Sequence, residues 1–213
     1  MIEYLFTSPF FFLIWAAALL VAIAVHEFAH ALMADRLGDP TPKLQGRLTL
    51  NPIAHLDPLG TLMILIFRFG WGKPVQIDPF NLKDPRRDQA LIALAGPGSS
   101  LLSAALFALI LRALLQFTPF NASLLYTIFS PFIVLNVGLG IFNLLPIHPL
   151  DGGKIIVGLL PRETAQAVDE FLSQYGIIVL LLLLFPFFGT SLLTQLILPP
   201  INFLLNLLLP VGL

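Results

Sequence analysis

Residues 26–30 read His-Glu-Phe-Ala-His and close a long apolar run that starts near residue 9. On a helix, positions i and i+4 share a face, with Cβ atoms about 6 Å apart. His26 and His30 can therefore aim ring nitrogens at one zinc ion, at about 2.0–2.1 Å. Glu27 lies about 100° further round the helix. From there its carboxylate can take a proton from water beside the metal and pass it to a leaving amine. The bland alternative is a polar cluster that only ties helices together. An ionisable group inside a transmembrane helix costs roughly 2.5–3.5 kcal/mol even on lenient insertion scales, so three idle ones would be hard to retain.

A catalytic zinc is expected to have three protein ligands plus water. Asp151 is a candidate third ligand. It follows an apolar segment broken by Pro146 and Pro149, and Gly152 and Gly153 permit unusual backbone angles and close approach. His55, in the loop NPIAHLD, and His148, just before Pro149, are rival ligands. His148 also suits a supporting or substrate-facing role. Asp57, ahead of Pro58, reads as a turn or cap residue.

These groups need helices to carry them. The first is expected over about Pro9 to Leu37, with Pro9 in the first turn and Gly38 and Pro40 as the stop. At 1.5 Å per residue it spans about 42 Å, longer than the hydrocarbon core. Residues 39–87 are mixed. The alternation in KLQGRLTL suggests short strands in 42–50, with an exposed edge able to hold an extended substrate. LGTLMILIFRFGW is apolar but too short to cross, so it reads as re-entrant or interfacial. A second span covers about Asp88 to Phe117, and its AGPGSS stretch allows close helix approach. A third covers about Ala122 to Leu145. A short polar helix is expected over about Arg162 to Tyr175. Two further C-terminal crossings follow, the last kinked at Pro199 and Pro200.

Composition agrees. Of 213 residues, 57% are hydrophobic and only 11% charged, with a mean hydropathy of +0.91. Soluble domains carry about a quarter charged residues. The fold class is an all-α polytopic membrane protein in a single embedded domain, 1–213, with a catalytic core at about 10–160. The net charge of −1 gives no case for nucleic acid, and the absence of cysteine excludes thiolate metal sites. The first apolar run lacks a basic leader and continues into the histidines, so it does not read as a cleaved signal.

Eight of the eleven basic residues (Arg36, Lys43, Arg47, Arg68, Lys73, Lys83, Arg86 and Arg87) lie between the first and second spans. Basic loops stay cytoplasmic, so the amino terminus is expected outside. The histidines and Asp151 then share one depth toward the cytoplasm.

Taken together, HEFAH on one span, AGP opening the next and NLLPIHPLDGG closing a third resemble the site-2 protease family of intramembrane zinc metalloproteases. The resemblance covers about residues 10–160. NPIAHLDPLGT is similar to a compact prokaryotic branch without a PDZ or other appended domain. The resemblance implies one zinc ion on His26, His30 and Asp151, with Glu27 as general base. It also implies that Asn143 bonds the substrate or the developing oxyanion. The implied substrates are transmembrane proteins, cut near the cytoplasmic leaflet of a prokaryotic cell membrane, with a regulatory partner open. Asn136, two turns earlier, reads as structural glue between helices. Two positions depart from the family. Ser100 stands where asparagine is common, and His148 where proline is. A membrane metal transporter and a catalytically silent helix-binding scaffold are the alternative functions.

Overall fold

The computed structural model describes residues 8–67, 72–117, 121–186 and 189–209. Arg68, counted above among the basic residues, lies outside them.

Helix α1 runs over Pro9–Leu37, as its end signals require. Gly38 closes it at φ 110°, a left-handed angle that favours glycine, and its N–H caps the carbonyls of Ala34 and Asp35. The second span, α4, covers Pro85–Phe117 and starts a turn earlier than expected. The Asp84 carboxylate accepts from the Arg87 N–H, and Asp88 accepts from the Asp84 N–H, so the two acids cap the helix start. The third span, α5, covers Ala122–Asn143 and is capped by Asn121, which accepts from the N–H groups of Ser123 and Leu124.

Three expectations need correction. No strand forms over 42–50. Residues Thr41–Leu44 are a short helix, α2, and Gly46 then turns the chain at φ 69°. Arg47 donates to the Ala54 carbonyl, which keeps this loop folded on itself. The alternating pattern thus has no partner strand to pair with, and among the described residues only an isolated bridge, Leu56 to Gly72, is present. The polar helix at 162–175 and the crossing after it are one continuous helix, α7, Arg162–Leu184. Gly176 does not break it. A side chain there would meet the His148 carbonyl at 2.4 Å, so the glycine admits the 145–150 loop. Finally, Asp151 opens a separate helix, α6, Asp151–Leu159, rather than ending the third span.

Two pieces remain. Helix α3, Pro58–Phe67, has 10 residues, about 15 Å, and cannot cross. The Asp57 carboxylate caps its first turn by accepting from Gly60 N–H at 2.7 Å. Helix α8, Leu192–Leu208, is apolar, 17 residues long, and contains Pro199 and Pro200. Four helices, α1, α4, α5 and α7, are long and apolar enough to cross a membrane. Leu102, Leu109 and Phe203 are 73%, 63% and 69% exposed, as lipid-facing residues would be. The chain is a polytopic helical membrane protein.

Helix α4 is the hub, packed against α1, α5 and α6. Its small residues Ala104 and Ala108 let Leu125, Ile133 and Val137 come close in the half distant from the histidines. At the other end, residues 73–78, which form no helix, lie as a strap ahead of a short turn at Pro79–Asn81 and of α4. Lys73 N–H donates to the His55 carbonyl, and Gln76 pairs with Gln45. Ile77 and Leu82 pack on Ala34 and Ile92.

Asp39 is the clasp of this strap. It is fully buried and accepts from the N–H groups of Thr41 and Asp78 and from Asn81 Nδ2, at 2.8–3.0 Å. Burial pushes its carboxyl up, but the bonds from Thr41, Asp78 and Asn81 outweigh that and hold it below the ordinary carboxylate range. Asp39 is thus more acidic folded than unfolded. Its contribution is present above its unfolded value, near pH 4, and is lost as pH falls through the lower folded value. Protection of the 73–82 amides, taken as the ratio of intrinsic to observed exchange at each pH, should therefore fall below about pH 4 in the wild type. Asp39→Asn should show low protection already at neutral pH and little further loss of protection on acidification.

Candidate metal centre

The two histidines of α1 and the aspartate of α6 meet in space. His26 Nε2 lies 3.1 Å from His30 Nε2 and 3.2 Å from Asp151 Oδ2. His30 Nε2 lies 3.3 Å from the same carboxylate oxygen. Four donors around zinc at about 2.0 Å stand about 3.3 Å apart, the edge of the tetrahedron. The observed triangle has that size. Among the described residues these three are the group of titratable side chains able to share one ion.

Protonation supports the same conclusion. His30 Nδ1 lies 2.7 Å from the Ile92 carbonyl, which can only accept, so Nδ1 carries the proton. In the neutral ring, Nε2 then offers a lone pair to the triangle. His26 Nδ1 lies 3.1 Å from Ser100 Oγ, and a proton on Nδ1 leaves its Nε2 free in the same way. Three acceptor atoms pointed at one another repel unless a cation or protons lie between them. The donor set of two imidazoles and a carboxylate suits zinc.

Helix α4 builds this arrangement from behind. Pro97 lacks the N–H that would bond Ala93, which loosens the ladder beside the Ile92 carbonyl that holds His30. Gly96 faces the imidazoles directly. A Cβ there would lie 2.3 Å from His30 Nε2 and 2.7 Å from His26 Nε2. On the opposite side, Gly152 and Gly153 give close approach rather than unusual angles. A Cβ on Gly152 would meet the Leu145 carbonyl at 2.2 Å, and one on Gly153 would meet His148 Nδ1 at 2.4 Å.

Glu27, His26, His30, Asp151 and Asn143 line one cleft of about 750 Å3, whose other walls are largely apolar. The strap forms one side of it. Val75 N–H donates to Glu27 Oε2 at 3.2 Å, which fixes one carboxylate oxygen. Asn143 lines the cleft too. One of its amide N–H groups donates to the Leu139 carbonyl at 3.0 Å. The rival ligands are elsewhere. His55 is buried with Nε2 on the Thr49 carbonyl at 2.8 Å, and His148 Nε2 lies 2.9 Å from Asp169 Oδ1. Asn136 is buried and donates to the Phe132 carbonyl on its own helix.

Sequence reasoning missed Ser100, the Ile92 carbonyl, the Val75 N–H and the His148–Asp169 pair. The departure at Ser100, where asparagine is common, was the available signal, and the serine hydroxyl touches His26.

The profile of peptidase family M50 matches residues 119–185. YwhC of Bacillus subtilis, which carries a zinc-metalloprotease name, is 43% identical over 170 residues, covering 78% of this chain and 77% of YwhC. The chain belongs to peptidase family M50. This is the site-2 protease family to which the motifs pointed, and the membership supports metallopeptidase activity. Rip2 of Mycobacterium tuberculosis, named likewise, is 35% identical over 81% of this chain, which spans 66% of Rip2. Zinc metalloprotease MJ0392 of Methanocaldococcus jannaschii is 27% identical over 68% of this chain and 34% of its own length. No solved structure gives a significant match.

Proposed function

We propose that this M50 peptidase cleaves peptide bonds of transmembrane proteins, with one zinc ion held by His26, His30 and Asp151. The observation that carries the reading is the triangle of acceptor atoms beside Glu27, inside an apolar-walled cleft among membrane-length helices. Leu19, Ile23, Val134 and Phe142 in those walls suit an apolar substrate segment. Such a segment satisfies its own backbone as a helix, so it must unwind locally before its carbonyl can react.

When bound, zinc supplies a Lewis acid that polarises a carbonyl and brings the pKa of water toward about 7. Glu27 does the proton transfer. Its Oε2 is held by Val75, which leaves Oε1 to take a proton from water as oxygen attacks the scissile carbon. The same carboxyl then gives that proton to the leaving nitrogen as the C–N bond breaks. Asn143 lines the same cleft, and its second N–H would donate to the carbonyl oxygen as charge develops there.

The gathering of basic residues at this end supports a cytoplasmic cleft and an external amino terminus. Bacterial and archaeal relatives support a prokaryotic cell membrane. The transporter alternative would need polar groups along a path across the bilayer. Among the described residues the metal-capable cluster lies at one depth, and the distant half is packed by alanine, leucine, isoleucine and valine.

The test is cleavage of a single-span substrate reconstituted with the protein in vesicles, with the products mapped by mass spectrometry. A chelator-sensitive cut within or beside the span is expected. Cutting of soluble peptides alone, or a cut that survives chelation, would overturn the proposal.

A further inference from the structure

Next to the catalytic cleft is a second hollow of about 330 Å3, where α4 and α7 begin. Arg86 lines it from the first turn of α4, Lys154 from α6 and Arg162 from the start of α7. Gln89, Gln166 and Asp169 complete the polar lining. The one carboxylate in the lining, Asp169, has its Oδ1 2.9 Å from His148 Nε2 and still contributes its charge to the hollow. Gln166 Nε2 is likewise given to Glu170. Arg86 donates through Nη1 to the Leu160 and Val157 carbonyls, and its other N–H groups have no acceptor among the described residues. Lys154 and Arg162 have no acceptor among the described residues. The other acids nearby are outside the lining: Asp84 and Asp88 cap α4, and neither Glu163 nor Glu170 faces the hollow.

Three cations against the single carboxylate of Asp169 leave the lining positively charged, and the cations repel one another unless a further anion sits between them. We propose that this hollow binds a phosphate group, that of an anionic phospholipid headgroup. Depth selects the lipid. Arg86 stands four residues before the apolar run of α4 opens at Ala90, about 6 Å along the axis. The headgroup layer extends about 5–8 Å beyond the hydrocarbon. Arginine and lysine clusters at that depth recognise lipid phosphate.

The occupant would touch both flanks of Asp151. Lys154 lies one turn after it and also lines the catalytic cleft. Asp169 holds His148, three residues before it. The inference rests on the chain being membrane-embedded and not on peptidase activity, so binding is read without turnover.

The experiment is native mass spectrometry of the full chain in non-ionic detergent. The chain is offered phosphatidylglycerol, phosphatidylcholine or inorganic phosphate. Wild type should retain phosphatidylglycerol in preference to phosphatidylcholine. Arg162→Gln, an exposed position, should weaken that retention about fivefold, the worth of one basic contact. Arg87→Gln removes the same charge one residue from Arg86 but outside the hollow, and should leave retention unchanged. A matched thermal melt confirms that both variants fold. Equal loss in both variants, or no preference for the anionic lipid, would overturn the site. Retention of inorganic phosphate without lipid preference would overturn the headgroup assignment.

Discussion

Glu27→Gln should reduce turnover of a membrane substrate by about a hundredfold to ten-thousandfold, the usual share of a general base, while zinc content stays at the wild-type level. The glutamate lies in the cleft but outside the triangle of His26, His30 and Asp151, so the metal has no reason to leave. The amide oxygen of glutamine still accepts from Val75 N–H, so the strap keeps its place. What is lost is the basic oxygen that takes the proton from water. A rate constant from single-turnover cleavage in vesicles, alongside zinc analysis of the same preparation, separates these effects. Turnover near that of the wild type would contradict the assignment of the base. Loss of zinc would show that Glu27 belongs to the metal site instead.

The second large effect is expected at a residue with no side chain. Gly96→Ala places a methyl group 2.3 Å from His30 Nε2 and 2.7 Å from His26 Nε2. These are the ends of side chains, so the rings swing away and the helices need not separate. The protein should therefore fold, but the His30 bond to Ile92 and the size of the triangle cannot both survive. Zinc binding should weaken by more than the roughly 10–100-fold typical of lost supporting contacts, because the donor atoms themselves are displaced. Gly98→Ala is the control. It lies two residues along the same helix, and a Cβ there meets nothing within 4 Å. Competition against a chromophoric zinc chelator measures both. Equal affinities in the two variants would contradict the geometry.

The sequence carried some parts of this picture well and others poorly, for physical reasons. The bounds of α1 were legible because proline at its start and glycine at its end act locally. The histidine pair was legible because i and i+4 spacing sets one face whatever surrounds it. Asp151 was reached through depth, which follows from where basic residues stop a span. The strand expectation over 42–50 failed because alternation only becomes a strand when a partner backbone is available, and here Gly46 and Arg47 fold the loop on itself. The boundary expected after about Tyr175 failed too: Gly176 stays inside α7, and its role is set by a carbonyl 28 residues earlier. The Val75 N–H and the Ile92 carbonyl could not be read at all. Backbone groups are the same at every position, and only the fold chooses which two serve the site.

Residues 26, 30 and 151 hold one metal ion between them if the triangle is a zinc site, and metal analysis of the purified chain, wild type beside Asp151→Ala, decides it. The wild-type chain should carry one zinc, with zinc absorption spectra showing two imidazoles and a carboxylate, and the variant should retain little. Full zinc occupancy with an unchanged spectrum in Asp151→Ala would contradict it.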